Sequence, residues 1–254
     1  MSVVVQSFHA DPPAWVTRCL DSVRAWTAAA GHAYRFVDDG LFNRVPEWAR
    51  AKTAHRPMVA SDLARLYLLG EILGEGETAI WLDADVFVAD PDALTAHLDL
   101  SAGYLLGREH WVQPAVKNRP RVRRSVHNAL CAFRPDNPFR AFYADAAERI
   151  LARHDGKAMV PQLLGPKFLT ALDNMMGLPA TPAVNMASPL VLADLAAGGG
   201  PALADLHAAS PIAPAALNLC QSYTGADADA VTVTPELMDA AIDRLACDAI
   251  RMDR

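Results

Sequence analysis

Two aspartates one residue apart, Asp83 and Asp85, follow the apolar run Ile80-Trp81-Leu82 and precede Val86-Phe87-Val88. Hard divalent cations such as Mg²⁺ or Mn²⁺ bind carboxylate oxygens and fill their remaining positions with phosphate oxygens and water. In an extended segment residues i and i+2 point to one side, so the spacing predicts that both carboxylates address one centre. Ligands of open α/β sheets bind beyond the carboxyl ends of strands, which is where this pair falls. A second constellation lies upstream in Ser61-Asp62-Leu63-Ala64-Arg65. Asp62 and Arg65 are three apart on a predicted helix and share a face. There Arg65 can stabilise negative charge and Asp62 can accept hydroxyl hydrogen bonds. An ordinary surface ion pair has the same spacing.

The elements that must position these residues alternate. Val3–Phe8 reads as a first strand, Trp15–Ala30 as a helix ended by Gly31, and Tyr34–Val37 as a second strand closed by Asp38-Asp39-Gly40. Ser61–Leu73 has helical spacing, with Ser61 as its expected N-cap, and Thr78–Leu82 reads as a buried strand. This alternation predicts an α/β sheet with parallel members. Downstream, Ala102–Leu106 and Ala129–Phe133 read as strands. Pro138–Arg153, Leu164–Met176, Pro189–Ala197 and Pro235–Met252 read as helices. The polar, basic stretch Arg108–Ser125 reads as a loop, and 198–216 is the weakest point of the chain.

Composition bounds the classes. The 254 residues are 52% hydrophobic and 20% charged, which is no disordered chain. With 23 Lys+Arg against 29 Asp+Glu the net charge is -6, an unfavourable balance for a nucleic-acid binder. It also repels phosphate-bearing substrates unless a cation or a basic patch offsets it. The one basic run, Lys117-Asn118-Arg119-Pro120-Arg121-Val122-Arg123-Arg124, is a candidate loop over a diphosphate, a candidate contact for anionic lipid headgroups, or a solvated loop. No stretch approaches the roughly 18 apolar residues that span a bilayer. The N-terminus reads as a strand and not as a signal peptide, and Cys19, Cys131, Cys220 and Cys247 form no CxxC pair. These features predict a reduced, cytoplasmic protein, with peripheral membrane contact through 117–124 as an option and no nucleic-acid partner. There is no GxSxG elbow, P-loop, HExxH or GxGxxG after a strand. His127 is a possible cleft residue or a structural histidine.

A carboxylate pair after an apolar strand suits two chemistries. In haloacid-dehalogenase-type phosphatases the first aspartate, here Asp83, is a nucleophile. Such an enzyme also needs a later lysine and a second acidic loop, for which Lys157 or Lys167 and Gly225-Ala226-Asp227-Ala228-Asp229 are candidates. The other chemistry is metal-dependent sugar transfer. The order of a Ser61-Asp62-x-x-Arg65 helix, a Gly74-Glu75-Gly76 turn and a Leu82-Asp83-Ala84-Asp85 strand resembles glycosyltransferase family 32, the DXD-containing family of capsular-polysaccharide and mannosyltransferase-like enzymes. Asn128-Ala129 and Leu164-Gly165-Pro166-Lys167-Phe168-Leu169-Thr170 are similar to later elements of that family, so the likeness runs over about residues 1–175.

The resemblance implies a single GT-A-like α/β domain over 1–254: a Rossmann-type mixed sheet flanked by helices, with a nucleotide-sugar half (1–110) and an acceptor half (111–254). It implies a retaining hexosyl transfer from a nucleotide-diphosphate sugar to a hydroxyl of a glycan or lipid-linked acceptor in polysaccharide synthesis, with Mn²⁺ or Mg²⁺. Asp62, Arg65 and Asn128 take catalytic roles. Gln6, Ser7, Ser61, Asp83, Gly165, Pro166 and Ser222 meet the donor. Asp83 and Asp85 hold the metal. The family's C-terminal His and Ser-Trp are replaced here by Asn218 and Ser222-Tyr223, which makes Asn218 the expected third ligand. A catalytically inactive glycan- or partner-binding protein of the same fold is the third reading, and the chain is expected to lack the stem and membrane anchor of Golgi members.

Overall fold

In the computed structural model, which describes residues 1–117 and 119–252, β1 (Ser2–Ser7) leads into α1 (Ala14–Ala29) and β2 (Ala33–Val37). A short 3-10 segment (Asp39–Arg44), α2 (Glu47–Thr53) and α3 (Pro57–Gly74) bring the chain to β3 (Thr78–Leu82) and β4 (Val86–Val88). After α4 (Pro91–Ala96) come two long strands, β5 (Tyr104–Val116) and β6 (Arg119–Phe133), then α5 (Phe139–Arg153) and α6 (Pro166–Met176). The remainder holds β7 (Ala180–Thr181), β8 (Val184–Met186), α7 (Pro189–Ala196), α8 (Pro201–Ala209), β9 (Ala216–Asn218), a 3-10 turn (Gln221–Tyr223), β10 (Asp227–Ala228), β11 (Val231–Thr232) and α9 (Pro235–Met252).

The main sheet has the order β2-β1-β3-β6-β5-β7. β1 is parallel to β2 and β3, whereas β6 is antiparallel to both β3 and β5. Alternate residues of the central strands serve two cores, as the strand period requires. Val3, Val5, Ala79 and Trp81 pack toward α3, α5 and α6, while Val4, Ile80 and Leu82 pack with Val23 and Trp26 of α1. A second sheet, β4-β9-β8, extends that other layer, and α1, α7, α8 and α9 bury a further cluster around Trp15, Leu192 and Ile242. This is an α/β fold with a mixed central sheet between helical layers. The expected division at 110/111 falls inside β5, so the two halves share one sheet.

Two expectations change. The stretch Arg108–Ser125 is no loop: it forms most of a hairpin in which β5 and β6 pair over Gly107–Val116 and Arg119–His127. Pro114 and Pro120 and the run of arginines obscured the period of two; Asn118 lies outside the described residues. β3 pairs with β6 only over Leu130–Phe133, so the rest of the hairpin overhangs the end of β3. The helix expected from Ser61 starts a turn earlier, with Pro57 at its first position, where a missing N–H costs nothing. Ser61 therefore lies within α3 and caps nothing.

Where the hairpin leaves the sheet its register shifts, from Leu106↔Cys131 to Gly107↔His127. The extra residues on β6 are 128–130, and Asp83 donates its amide to the Ala129 carbonyl at 2.9 Å. Such a bulge re-aims side chains, and here it turns Asn128 toward α3. Its geometry rests on Gly107, where an added Cβ would overlap the His127 ring. That ring cannot retreat: its Nε2 is 3.0 Å from the Val184 carbonyl and its Nδ1 accepts from the Ala129 amide at 3.1 Å. Gly107→Ala is expected to cost about 1–3 kcal/mol, the usual penalty for overpacking. Urea denaturation would register it as a lowered midpoint, and an unchanged midpoint would contradict this account of the bulge.

Candidate active site

The strand β3 ends at Leu82, and Asp83–Val86 closes a turn through Val86 N–H to Asp83 O at 3.1 Å. The two carboxylates are thus brought together by a turn and not by the period of a strand. They line an open cleft of about 520 Å³ at the carboxyl ends of β1 and β3, under the overhanging hairpin. Ser7, Ser61, Asp62, Arg65, Asn128, Pro166, Asn218 and Ser222 line the same cleft. Gln6 and Gly165 are not on its wall. Gln6 is 0% exposed, donating to the Asp83 carbonyl at 3.1 Å and accepting from the Tyr34 hydroxyl at 3.1 Å. It holds the turn, and both ends of its side-chain amide are engaged within the protein. Gly165 leaves room for Asn128, whose Oδ1 would lie 2.7 Å from a Cβ at that position. α6 starts beside it, but its Lys167 amide is already spent on the Gln162 carbonyl.

Arg65 organises one side. Its guanidinium lies 3.2 Å from Asp83 Oδ1 and 3.4 Å from Asp62 Oδ1, donates to the Asn128 carbonyl at 2.5 Å, and sits 4.8 Å above the Trp81 ring. Trp81 Nε1 donates to Asp83 Oδ1 at 2.6 Å, and Asn128 Nδ2 to Asp62 Oδ1 at 2.7 Å. Burial by itself would lower the Arg65 pKa, but Asp83 and Asp62 hold it above its ordinary value, so the residue stays a cation. Among the described residues the polar contacts of Asp62 and Asp83 fall on Oδ1, which leaves Oδ2 of each for a ligand.

Asp85 is held differently. Asn218 Nδ2 donates to its Oδ1 and the Gln221 amide to its Oδ2, each at 2.8 Å. Both donors are neutral. Asn218 cannot be turned round, because its Oδ1 accepts the Cys220 amide at 2.7 Å, and a backbone N–H can face only an acceptor. Asn218 therefore presents nitrogen to the carboxylate pair. The expected third ligand is a support for Asp85, delivered by β9 through its pairing with β4.

Residue spacing did not single out Glu109, Trp111 and Gln113, which the hairpin adds to the cleft wall together with Arg123 of the basic run. Glu109 is 4% exposed, and its Oε1 accepts from Ser125 Oγ and, at 3.0 Å, from Arg123. His127 also lines the cleft, but its two ring nitrogens are engaged and burial lowers its pKa, so it is a neutral structural residue.

The residues suit a divalent cation. Four carboxylates (Asp62, Asp83, Asp85 and Glu109) and two guanidiniums (Arg65 and Arg123) line the cleft, an excess of two negative charges when all four are ionised. Among the described residues Asp85 makes no ion pair, its hydrogen-bond donors being Asn218 and the Gln221 amide. Among the described residues no group of three or more His, Cys, Asp or Glu is arranged to hold an ion, so Asp83 and Asp85 would share it with substrate oxygens and water. Of the later residues that a phosphatase would need, the candidates Lys157, Lys167, Asp227 and Asp229 do not line the cleft. The four cysteines are unpaired, and among the described residues no helix is long and apolar enough to cross a membrane.

No protein-family model and no curated protein matches the chain. Among solved structures it is similar to a glycosyltransferase involved in the glycosylation of the major capsid of PBCV-1. The identity is 11% over 96% of this chain and 99% of that chain, with a TM-score of 0.49. A likeness at that level establishes neither family nor activity.

Burial and then the charge of Asp83 push Asp85 up to about 7, and burial pushes Asp62 up to about 6 against the lowering effects of Arg65 and Asn128. Both carboxylates start from 3.8, so the folded state binds their protons more tightly than the unfolded state does. Their contribution to stability is thus largest in acid and declines as pH rises from about 4 through about 7 in the metal-free protein. Asp85→Asn is expected to flatten the upper part of that decline, between pH about 6 and about 7. Denaturation midpoints across this range test it, and an identical fall in both proteins would contradict the assignment.

Proposed function

We propose that the protein is a metal-dependent glycosyltransferase that moves a sugar from a nucleotide-diphosphate sugar to a hydroxyl acceptor. One observation carries the reading: Asp83 and Asp85 meet at the carboxyl end of β3, in an open cleft with excess negative charge, beside a buried arginine. Asp83 and Asp85 would hold Mn²⁺ or Mg²⁺. When bound, such a cation neutralises charge on the departing diphosphate.

The chain's own residues supply the rest. Arg65 remains positive at every physiological pH and faces the region where negative charge accumulates as the sugar–phosphate bond breaks. Its position does not depend on the ligand, because Asp62, Asp83 and the Asn128 carbonyl fix it beforehand. Asp62 Oδ2 and the Ser61 hydroxyl are available for sugar hydroxyls. Asn128 holds the orientation of Asp62 from across the cleft. In the overall exchange the anomeric C–O bond to the diphosphate breaks, a C–O bond to the acceptor oxygen forms, and the nucleoside diphosphate departs, the acceptor hydroxyl's proton passing to it or to solvent. Retention of configuration, hexosyl specificity and a role in polysaccharide synthesis rest on the resemblance to family 32. The exposed basic residues Lys117, Arg121, Arg123 and Arg124 of the hairpin offer a cationic contact for the anionic group of a lipid-linked acceptor, and the same surface suits peripheral attachment at the inner face of a membrane.

Thermal denaturation with a panel of nucleotide sugars, with and without Mn²⁺, separates this reading from its rivals. The expected result is a rise in Tm for one nucleotide class that requires the metal and disappears in Asp85→Ala. Sugar transfer or donor hydrolysis is expected to fall at least 100-fold in Arg65→Met. Stabilisation with no turnover of any donor would favour a binding protein. Hydrolysis of phosphate monoesters with no response to nucleotides would sink the proposal.

A further inference from the structure

The overhanging hairpin carries an alternation that the carboxylate pair does not use. Glu109, Trp111 and Gln113 are i, i+2 and i+4 on β5 and all line the cleft. A strand sends such residues to one side, so they form a continuous wall. β6 backs it: Ser125 stands opposite Glu109 and Arg123 opposite Trp111. The Trp111 ring packs against Tyr223 with centroids 5.7 Å apart and an interplanar angle of 31°. This fixes an indole that remains partly open to the cleft. Glu109 is fixed through Oε1 by Ser125 and Arg123, leaving Oε2 for a ligand.

We propose that this wall is the acceptor subsite, and that it takes a carbohydrate: a pyranose ring lies on Trp111 while its hydroxyls donate to Glu109 and exchange hydrogen bonds with Gln113. The inference deepens the transferase reading and rests on it for the word acceptor. An aromatic face flanked by a carboxylate and a carboxamide matches a sugar, which offers C–H groups on its faces and hydroxyls at its rim. Topology assigns the wall to the acceptor. In the order β1-β3-β6-β5 the carboxylate pair after β3 lies between Ser7 and Phe8 at the end of β1 and the hairpin wall. A nucleotide whose diphosphate reaches Asp83 and Asp85 from the β1 side leaves the hairpin side for the second substrate. Gly107 to Glu109 is also where β5 departs from the regular sheet, so the wall overhangs the site without belonging to its floor.

The test is saturation-transfer difference NMR of the full chain with methyl α- and β-hexopyranosides in Mg²⁺, without donor. At least one glycoside is expected to show saturation of its ring protons. Trp111→Ala is expected to weaken it at least tenfold, Trp111→Phe to retain it, and Glu109→Gln to weaken it severalfold; circular dichroism verifies that each variant folds. Asp85→Ala is expected to keep the glycoside signal while losing the metal-dependent response to nucleotide sugars. If the nucleotide response is absent from the wild type but the glycoside signal is present, the donor reading falls and the carbohydrate site stands. No saturation of any glycoside, or a signal unchanged in Trp111→Ala, would overturn the inference. So would Trp111-dependent saturation of nucleobase protons, which would give the wall to the donor.

Discussion

The buried guanidinium of Arg65 is the contact on which the site depends. It is 6% exposed and joins three separate parts of the fold: Asp62 on its own helix, Asp83 after β3, and the Asn128 carbonyl in the β6 bulge. A charge placed there without partners would be expensive, and breaking such a buried network typically costs about 3–5 kcal/mol. Here Asp83 and Asp62 keep the cation charged rather than suppressed, although its buried Nε has no hydrogen-bond partner among the described residues. The same contacts fix one oxygen of Asp62 and one of Asp83 and spare the other. A network that stabilises the fold thereby orients the groups that would meet a substrate.

Charge sets this arrangement apart from an ordinary structural ion-pair cluster. Arg65 answers Asp62 and Asp83, and Arg123 answers Glu109, but Asp85 receives only neutral donors from Asn218 and Gln221. Burial and Asp83 together push its pKa to about 7, which marks a carboxylate kept in an environment that does not suit it. Functional sites retain such unfavourable groups because a ligand relieves them. The net charge of -6, taken alone, argues against a phosphate-bearing substrate. On the proposed function, the part of it that lies in the cleft would draw in the cation that such a substrate needs.

Much of this was legible from residue types and short spacings. The β1–α1–β2 and α3–β3 segments, the aspartate pair and the Asp62/Arg65 face all follow from local patterns, and α9 begins and ends at Pro235 and Met252 as its periodicity predicts. What local patterns could not supply is partnership between distant segments. The overhanging hairpin was hidden because its outward residues are polar and it contains Pro114 and Pro120. Glu109-x-Trp111-x-Gln113 does alternate, and that was the available signal. The fate of Asn218 depended on something a sequence does not display: the Cys220 amide, presented with φ at +56° just beyond β9, captures its oxygen. Gln6 is similar, since only the adjacency of β1, β2 and β3 shows that its amide is consumed by Asp83 and Tyr34.

On the proposed function, two carboxylates left short of positive charge share a divalent cation with a nucleoside diphosphate. Titration of Mn²⁺ followed by electron paramagnetic resonance measures this directly, because free and bound ion are resolved without any turnover. With Asp83 and Asp85 as the proposed ligands, binding is predicted to be weak alone and at least tenfold tighter with the cognate nucleoside diphosphate. Mn²⁺ affinity that is the same with and without every nucleoside diphosphate, or that survives Asp85→Ala, would contradict it.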